Sequence, residues 1–313
     1  MWLSRAGERL AVASNVGVIP SLIIGLREGI EAALVIGIFL GYLAKIERPD
    51  LRRHVYVGTV SAGFASAGIA GVLFAMSIRL AGPGELLFEG IAMLVAVAVI
   101  TSMVLWMMKA SRSIKIHVQH KIDAALSDRR AFSLSLLAFI VVLREGIETA
   151  LLVFGVGELT SLIEAVIGIG LGLLVAGIIG VGIVRVSWRL NLKRFFQVTG
   201  VFLVIIAAGL FAHAVHELQE ASGSSFAAMP LYDLSVAFPH NESNPVGYLL
   251  RGIVGYSANP TVLEAAAYLA YWIVLILVYL GIRSGRIAII SDPLRRAWHG
   301  LVGRGREPNV GAQ

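Results

Sequence analysis

The chain has no cysteine, which excludes disulfides, thiolate zinc sites and cysteine-ligated iron–sulfur clusters and leaves oxygen and imidazole as the donors for any metal. Charge is scarce as well: 15 % of the 313 residues are Asp, Glu, Lys or Arg. Beside 57 % hydrophobic residues and a mean hydropathy of +0.82, that scarcity excludes an ordinary soluble domain and points to an all-α polytopic membrane protein. A Gly-x-x-x-x-Gly-Lys-Ser/Thr loop is missing too, so ATP is not hydrolysed by such a loop in this chain.

What is present in abundance is long apolar sequence. Seven stretches, about 18–42, 56–78, 86–108, 132–155, 162–184, 198–218 and 262–282, reach the roughly 20 residues a spanning helix needs. The first keeps its charged residues and has no small-residue cleavage site after it, so it reads as a retained helix and not a signal peptide. Residues 1–17 form a peripheral lead, 18–283 the seven-helix transmembrane domain and 284–313 a basic tail.

The basic residues set a topology. Twenty of the 26 Lys and Arg fall in the first-to-second, third-to-fourth and fifth-to-sixth connections and in the tail, all on one side of the membrane. The positive-inside rule makes that side cytoplasmic, which puts the amino terminus outside and the carboxyl terminus in the cytoplasm of a cell (inner) membrane protein. The net charge of +6 is thus a topology signal and gives no support to nucleic acid as a partner. The other side carries Glu85, Glu158, Glu220, Asp233 and Glu242. Such an acidic face concentrates cations, although ordinary solvated loops account for each residue equally well.

One motif occurs twice inside the apolar stretches: Leu-Arg-Glu-Gly-Ile-Glu at 26–31 and again at 143–148. If helices one to three (about 18–108) and four to six (about 132–218) are two copies, an odd number of spans per copy inserts them in opposite directions. That is the inverted-repeat plan of many secondary transporters, here 3+3 helices plus a seventh at about 262–282. A stripe of small residues marks the second helix of each half, Gly58, Ala62, Ser66, Ala70 and Gly168, Gly172, Ala176, Gly180, and such stripes let helices approach closely in lipid. At 1.5 Å per residue both motifs reach the middle of a bilayer core about 30 Å thick, where they can meet.

Within each motif Arg and the two Glu are three or four residues apart and share a helix face. Mid-bilayer charge costs about 2.5 to 3.5 kcal/mol on insertion scales and usually marks an ion or proton path. Glu28, Glu31, Glu145 and Glu148 with Arg27 and Arg144 sum to −2, so the group lacks a cation. Carboxylate oxygen suits hard divalent or trivalent ions, and the arginines balance the charge of the empty site. Two intrahelical ion pairs that only lock the bundle are the plainer account, disfavoured because buried pairs are costly.

Other polar groups are weighed separately. Glu89 lacks an obvious local partner and is a candidate entry ligand. His213, His216, Glu217 and Glu220 follow one helix face at a spacing compatible with an accessory metal site, while a polar helix end at the interface explains them equally. Ser161 to Glu164 and Thr261 to Glu264 match capping boxes, which makes Glu164 and Glu264 caps. His117 and His120 face headgroups, Met103, Met107 and Met108 are packing residues, and the sequon at Asn241 carries no weight.

The doubled motif, with "ELLFEGIAMLVAVAVITSMVLWMMKASRSIKI", "RLNLKRFF", "AAGLFAHAVHELQEA" and "RGIVGYSANP", resembles the iron permease family of bacterial ferrous iron permeases and fungal high-affinity iron permeases over about residues 20–282. The resemblance implies a seven-helix inner-membrane transporter that imports Fe2+ or Fe3+ as its substrate, without a permanently bound cofactor. It implies iron ligands at Glu28, Glu31, Glu145 and Glu148, and an iron oxidase or iron-handling partner outside the cytoplasm. Two other readings stand beside it, an intramembrane carboxylate metal enzyme and a proton-coupled organic cation transporter. The first favours Glu-x-x-His pairs, and neither motif contains His.

Overall fold

The computed structural model describes residues 17–80, 82–110, 122–123, 131–186, 191–224, 226–241 and 244–284; the basic tail, the lead up to residue 16, and His117, His120 and Glu242 lie outside them. Among the described residues the regular structure is helical, apart from one isolated bridge between Pro230 and Thr261. The helices are α1 (Val18–Lys45), α2 (Arg52–Arg79), α3 (Pro83–Ala110), α4 (Ala131–Leu159), α5 (Leu162–Val186), α6 (Leu192–Ala221), the short α7 (Pro245–Val254) and α8 (Val262–Arg283). A 3-10 turn, Pro49–Leu51, precedes α2.

Local chemistry explains where several of them start and stop. Pro83 and Pro245 open α3 and α7, positions where a missing N–H costs nothing. Asn191 caps α6 by accepting from the Arg194 amide at 3.2 Å. α7 ends at Gly255 with φ +73°, a left-handed cap pressed so close to Gly209 of α6 that a Cβ at Gly209 would lie 2.5 Å from the Gly255 Cα.

Among the described residues, five segments are long and apolar enough to cross a membrane by length and composition: Pro49–Ser77, Pro83–Met107, Leu162–Gly182, Arg194–Ala221 and Val262–Arg283. α1 and α4 match them in length and differ in carrying three charged residues each inside the apolar run, Arg27, Glu28 and Glu31 in α1 and Arg144, Glu145 and Glu148 in α4. Large side chains such as Val60 and Phe64 on α2 and Leu174 and Ile178 on α5 are exposed, as lipid-facing surfaces are.

The described residues up to Leu269 form one compact unit; from Ala270 onward a second unit comprises the remainder of α8, where Tyr271 and Trp272 meet edge to face. Within the first unit three pairs dominate the packing: α1 with α5, α2 with α4, and α3 with α6. The small-residue stripes lie in the first two seams. On α5, Gly168 meets Val18 and Ser21, Gly172 meets Leu22 and Leu26, and Gly180 meets Ala33, so α1 and α5 run parallel. On α2, Gly58 meets Ser135 and Ala138, and Ser66 meets Gly146, so α2 and α4 run parallel too. α3 and α6 run antiparallel, with Gly90 against Ala214 and Leu218 and Gly200 against Val104.

Phe39 and Leu43 of α1, Leu51, Val55 of α2, Ile122, and Leu134 and Ala138 of α4 form a buried cluster at one end of this unit. At the α7 end the 226–241 loop lies along the segment before α8: Leu231 N–H donates to Pro260 O at 2.8 Å, Leu234 N–H to Ala258 O at 2.7 Å, and Ala258 N–H to His240 Nδ1 at 2.9 Å.

Candidate metal site between the motif helices

Both motifs sit part-way along their helices, and the α1–α5 and α2–α4 seams hold them at one level. Gly29 lies against Ala176, where a Cβ would stand 2.5 Å from the Ala176 Cβ. Gly146 lies more tightly still against Ser66, whose Oγ, donating to Ala62 O at 2.8 Å, is the nearest atom to where a Cβ would stand. Glycine between the glutamates thus admits a neighbouring helix, and the glutamates project into the space between α1 and α4.

There Glu28, Glu31 and Glu145 bring one carboxylate oxygen each within 4.8 Å of one another, the only such three-donor group among the described residues. Oxygens that close can converge on one cation at metal–oxygen distances of about 2.0–2.6 Å. Glu148, one turn beyond Glu145, has its Oε1 held by Arg144 Nε at 2.8 Å and stands outside that group. The second oxygens of Glu28, Glu145 and Glu148 are buried without a hydrogen-bond partner. Three orphaned acceptors in one buried place are costly unless a proton or a cation satisfies them.

The two arginines are not equivalent. Arg27 is 1 % exposed and forks over its own motif, with Nη1 2.5 Å from Glu28 Oε1 and Nη2 2.7 Å from Glu31 Oε1. Arg144 makes the matching i,i+4 pair with Glu148, yet its side chain is 50 % exposed and stacks over Trp106 of α3 at 5.4 Å. α3 also supplies Met103 and Met107, whose sulfurs lie 3.3 and 3.0 Å from Arg27 Nη1 and Nη2. The two methionines read in the sequence only as packing and Trp106 was not singled out, because nothing in the α3 sequence says which helix it faces. Their i, i+3, i+4 spacing was the available signal.

The remaining predicted polar residues lie elsewhere. Glu89 faces α2, where Ser77 Oγ donates to its Oε1 at 3.5 Å, so it does have a partner. Its neighbour Gly90 packs on Ala214 and Leu218, which puts Glu89 at the level of the α6 histidines and about 20 Å along α3 from the motifs. His213 pairs with Glu217 at 3.4 Å, and His216 approaches Glu220 at 4.0 Å and Glu264 at 3.9 Å; the two rings stack 6.1 Å apart. They form a row of pairs instead of one convergent donor set.

Of the two expected capping acids, Glu264 keeps the backbone half of its box, donating its N–H to Thr261 Oγ1 at 3.1 Å, while its carboxylate faces His216. Glu164 likewise keeps the backbone half, its N–H donating to Ser161 Oγ at 3.5 Å. Its carboxylate is buried, accepts from Tyr248 of α7 at 2.6 Å and abuts Gly17, so it joins α1, α5 and α7.

Residues 18–290 match the iron permease FTR1 family. The chain belongs to that family. Among its relatives, ferrous iron permease EfeU of Yersinia pestis is 35 % identical over 269 residues, 85 % of this chain and 94 % of the relative. Ferrous iron permease EfeU of Escherichia coli O6:H1 is 32 % identical over 273 residues, 86 % and 98 % of the two chains. An uncharacterized protein of Archaeoglobus fulgidus is 36 % identical over 246 residues, 76 % and 86 %. No solved structure matches the chain. As an iron permease family member the protein is a multi-pass membrane permease and not an enzyme.

Proposed function

We propose that this permease imports iron through the space between α1 and α4, with Glu28, Glu31, Glu145 and Glu148 as the ligands that the ion meets on its way. One observation carries the reading: three motif carboxylates converge within 4.8 Å while buried oxygens beside them have no partner. A cation site has that signature, whereas a purely structural ion-pair lock would match its acceptors to donors.

The seven long helices cross the bilayer as an inverted 3+3 repeat plus α8. Three packing relations support the repeat. A two-fold axis in the membrane plane that exchanges α1 with α4, α2 with α5 and α3 with α6 turns the α1–α5 seam into the α4–α2 seam, and both are parallel. The same axis maps α3 onto α6, a pair that must then be antiparallel, as it is. The equivalence extends to side chains, since Gly29 on Ala176 corresponds to Gly146 on Ser66.

In the empty site Arg27 neutralises Glu28 and Glu31; an entering cation takes over those oxygens and displaces the guanidinium. Arg144, half exposed, gives up Glu148 more easily. The basic connections support an outside amino terminus and a cytoplasmic carboxyl terminus, and an inside-negative membrane potential drives cations inward, by about 2.3 kcal/mol per charge per 100 mV. An extracytoplasmic iron oxidase or iron-handling protein delivers the ion at the α7 side, where Glu89 and the α6 His/Glu pairs serve as accessory contacts.

The test is uptake into proteoliposomes of the full chain, with Fe2+ and Fe3+ offered separately. Wild-type protein should accumulate iron, and Glu28→Gln, Glu31→Gln, Glu145→Gln or Glu148→Gln should lose most of it while remaining in the membrane. Near-normal uptake by any two of these variants removes the ligand assignment.

A further inference from the structure

Carboxylate oxygen alone is a poor discriminator. It suits Mg2+, Ca2+ and Mn2+ as readily as iron, and softer sulfur donors are what favour the softer transition ions. With no cysteine in the chain, the only sulfur available is thioether. Two of the seven methionines, Met103 and Met107, are buried on α3 and stand against the guanidinium that occupies the metal site.

Their placement follows a pattern. Arg27 Nη1 is shared between Glu28 Oε1 at 2.5 Å and Met103 Sδ at 3.3 Å, and Nη2 between Glu31 Oε1 at 2.7 Å and Met107 Sδ at 3.0 Å. Each of the two terminal guanidinium nitrogens thus contacts one carboxylate and one sulfur, so carboxylates and sulfurs border the same volume that the charge fills. A cation replacing the guanidinium there faces oxygen from α1 and α4 and sulfur from α3. If apolar filling were the whole requirement, leucine at both positions would serve with almost the same volume and better-defined rotamers. Thioether also serves the empty state, as a weak acceptor that leaves the guanidinium easy to displace.

We infer that Met103 and Met107 are specificity-determining residues of the metal site: once the ion has displaced Arg27, their thioethers complete a mixed oxygen–sulfur shell that selects Fe2+ over Mg2+ and Ca2+ and over the harder Fe3+. This rests on the iron-import reading and extends it from carboxylates to α3, naming the ferrous ion as the species the site is built for.

The experiment compares wild-type full chain with Met103→Leu, Met107→Leu and the double variant, reconstituted and kept anaerobic. Fe2+ uptake is measured against rising Ca2+ and Mg2+, and X-ray absorption at the iron edge is recorded on the Fe2+-loaded protein. The expected result is a sulfur shell around iron in wild type that is absent from the double variant, with the ratio of Fe2+ to Ca2+ preference falling about tenfold or more, the scale for losing a supporting group of a metal site. Sulfurs that merely pack or hold Arg27 would lower uptake of every ion alike. Iron bound without a sulfur shell, or an unchanged Fe2+ to Ca2+ ratio in the double variant, overturns the thioether assignment and leaves iron import standing. Wild-type protein that neither binds nor moves iron overturns both.

Discussion

Gly29 of α1 and Ala176 of α5 are in contact, with a Cβ on Gly29 placed 2.5 Å from the Ala176 Cβ. The contact lies beside Glu28 and Glu31, so any widening of this seam moves two motif carboxylates. Gly29→Ala should therefore destabilise by about 1 to 3 kcal/mol, the usual cost of overpacking. Ala176→Gly in the same chain should restore most of it. Thermal unfolding in detergent measures both; a Gly29→Ala protein as stable as wild type would show that the seam yields.

The unequal burial of the arginines predicts unequal costs of removing them. Arg27→Gln leaves Glu28 and Glu31 facing each other in a buried site, and breaking such a pair costs about 3 to 5 kcal/mol. Arg144→Gln removes a half-exposed partner whose own charge stays largely hydrated, and should cost less than Arg27→Gln. Arg→Lys should retain partial uptake at both positions, because charge survives while the fork does not. Equal destabilisation by the two Gln variants, read by thermal unfolding, contradicts the asymmetry.

Topology can be checked directly. A reporter fused after Gln313 should be cytoplasmic, and a tag inserted between residues 222 and 244 should be labelled from outside intact cells. Reversed accessibility would reverse the transport direction as well.

The loop against α8 should loosen in acid. Partial burial, with the nearby Arg251 cation adding to it, holds the His240 imidazole below its ordinary value, and its Nδ1 accepts from Ala258 N–H, which only the neutral ring can do. Protonation therefore favours the open loop: this contribution is intact above about pH 6.5 and is lost as the pH falls from there toward the depressed folded-state value. Limited proteolysis of the 226–241 loop should speed up between pH 7.5 and 5.5, a window of about one unit either side of the free imidazole value. In His240→Gln, which keeps an acceptor that does not titrate, the acceleration should vanish.

The sequence by itself determined the membrane class, because apolar length and the scarcity of charge are properties of single segments. It determined the doubled motif and the family resemblance, because identical short strings need no folding to be seen, and the small-residue stripes, whose four-residue period is local. Partner choice is not local. That Gly172 meets Leu22 and Gly58 meets Ser135, that Glu148 stands outside the convergent oxygens, and that the Glu164 carboxylate accepts from Tyr248 all depend on which helices pack together. The same holds for Met103 and Met107, which read only as packing along α3, and for Trp106, which nothing in the sequence marks; they acquire chemistry only where two arginines from other helices come against them. A helix sequence fixes which residues share a face, and only the tertiary packing decides what that face meets.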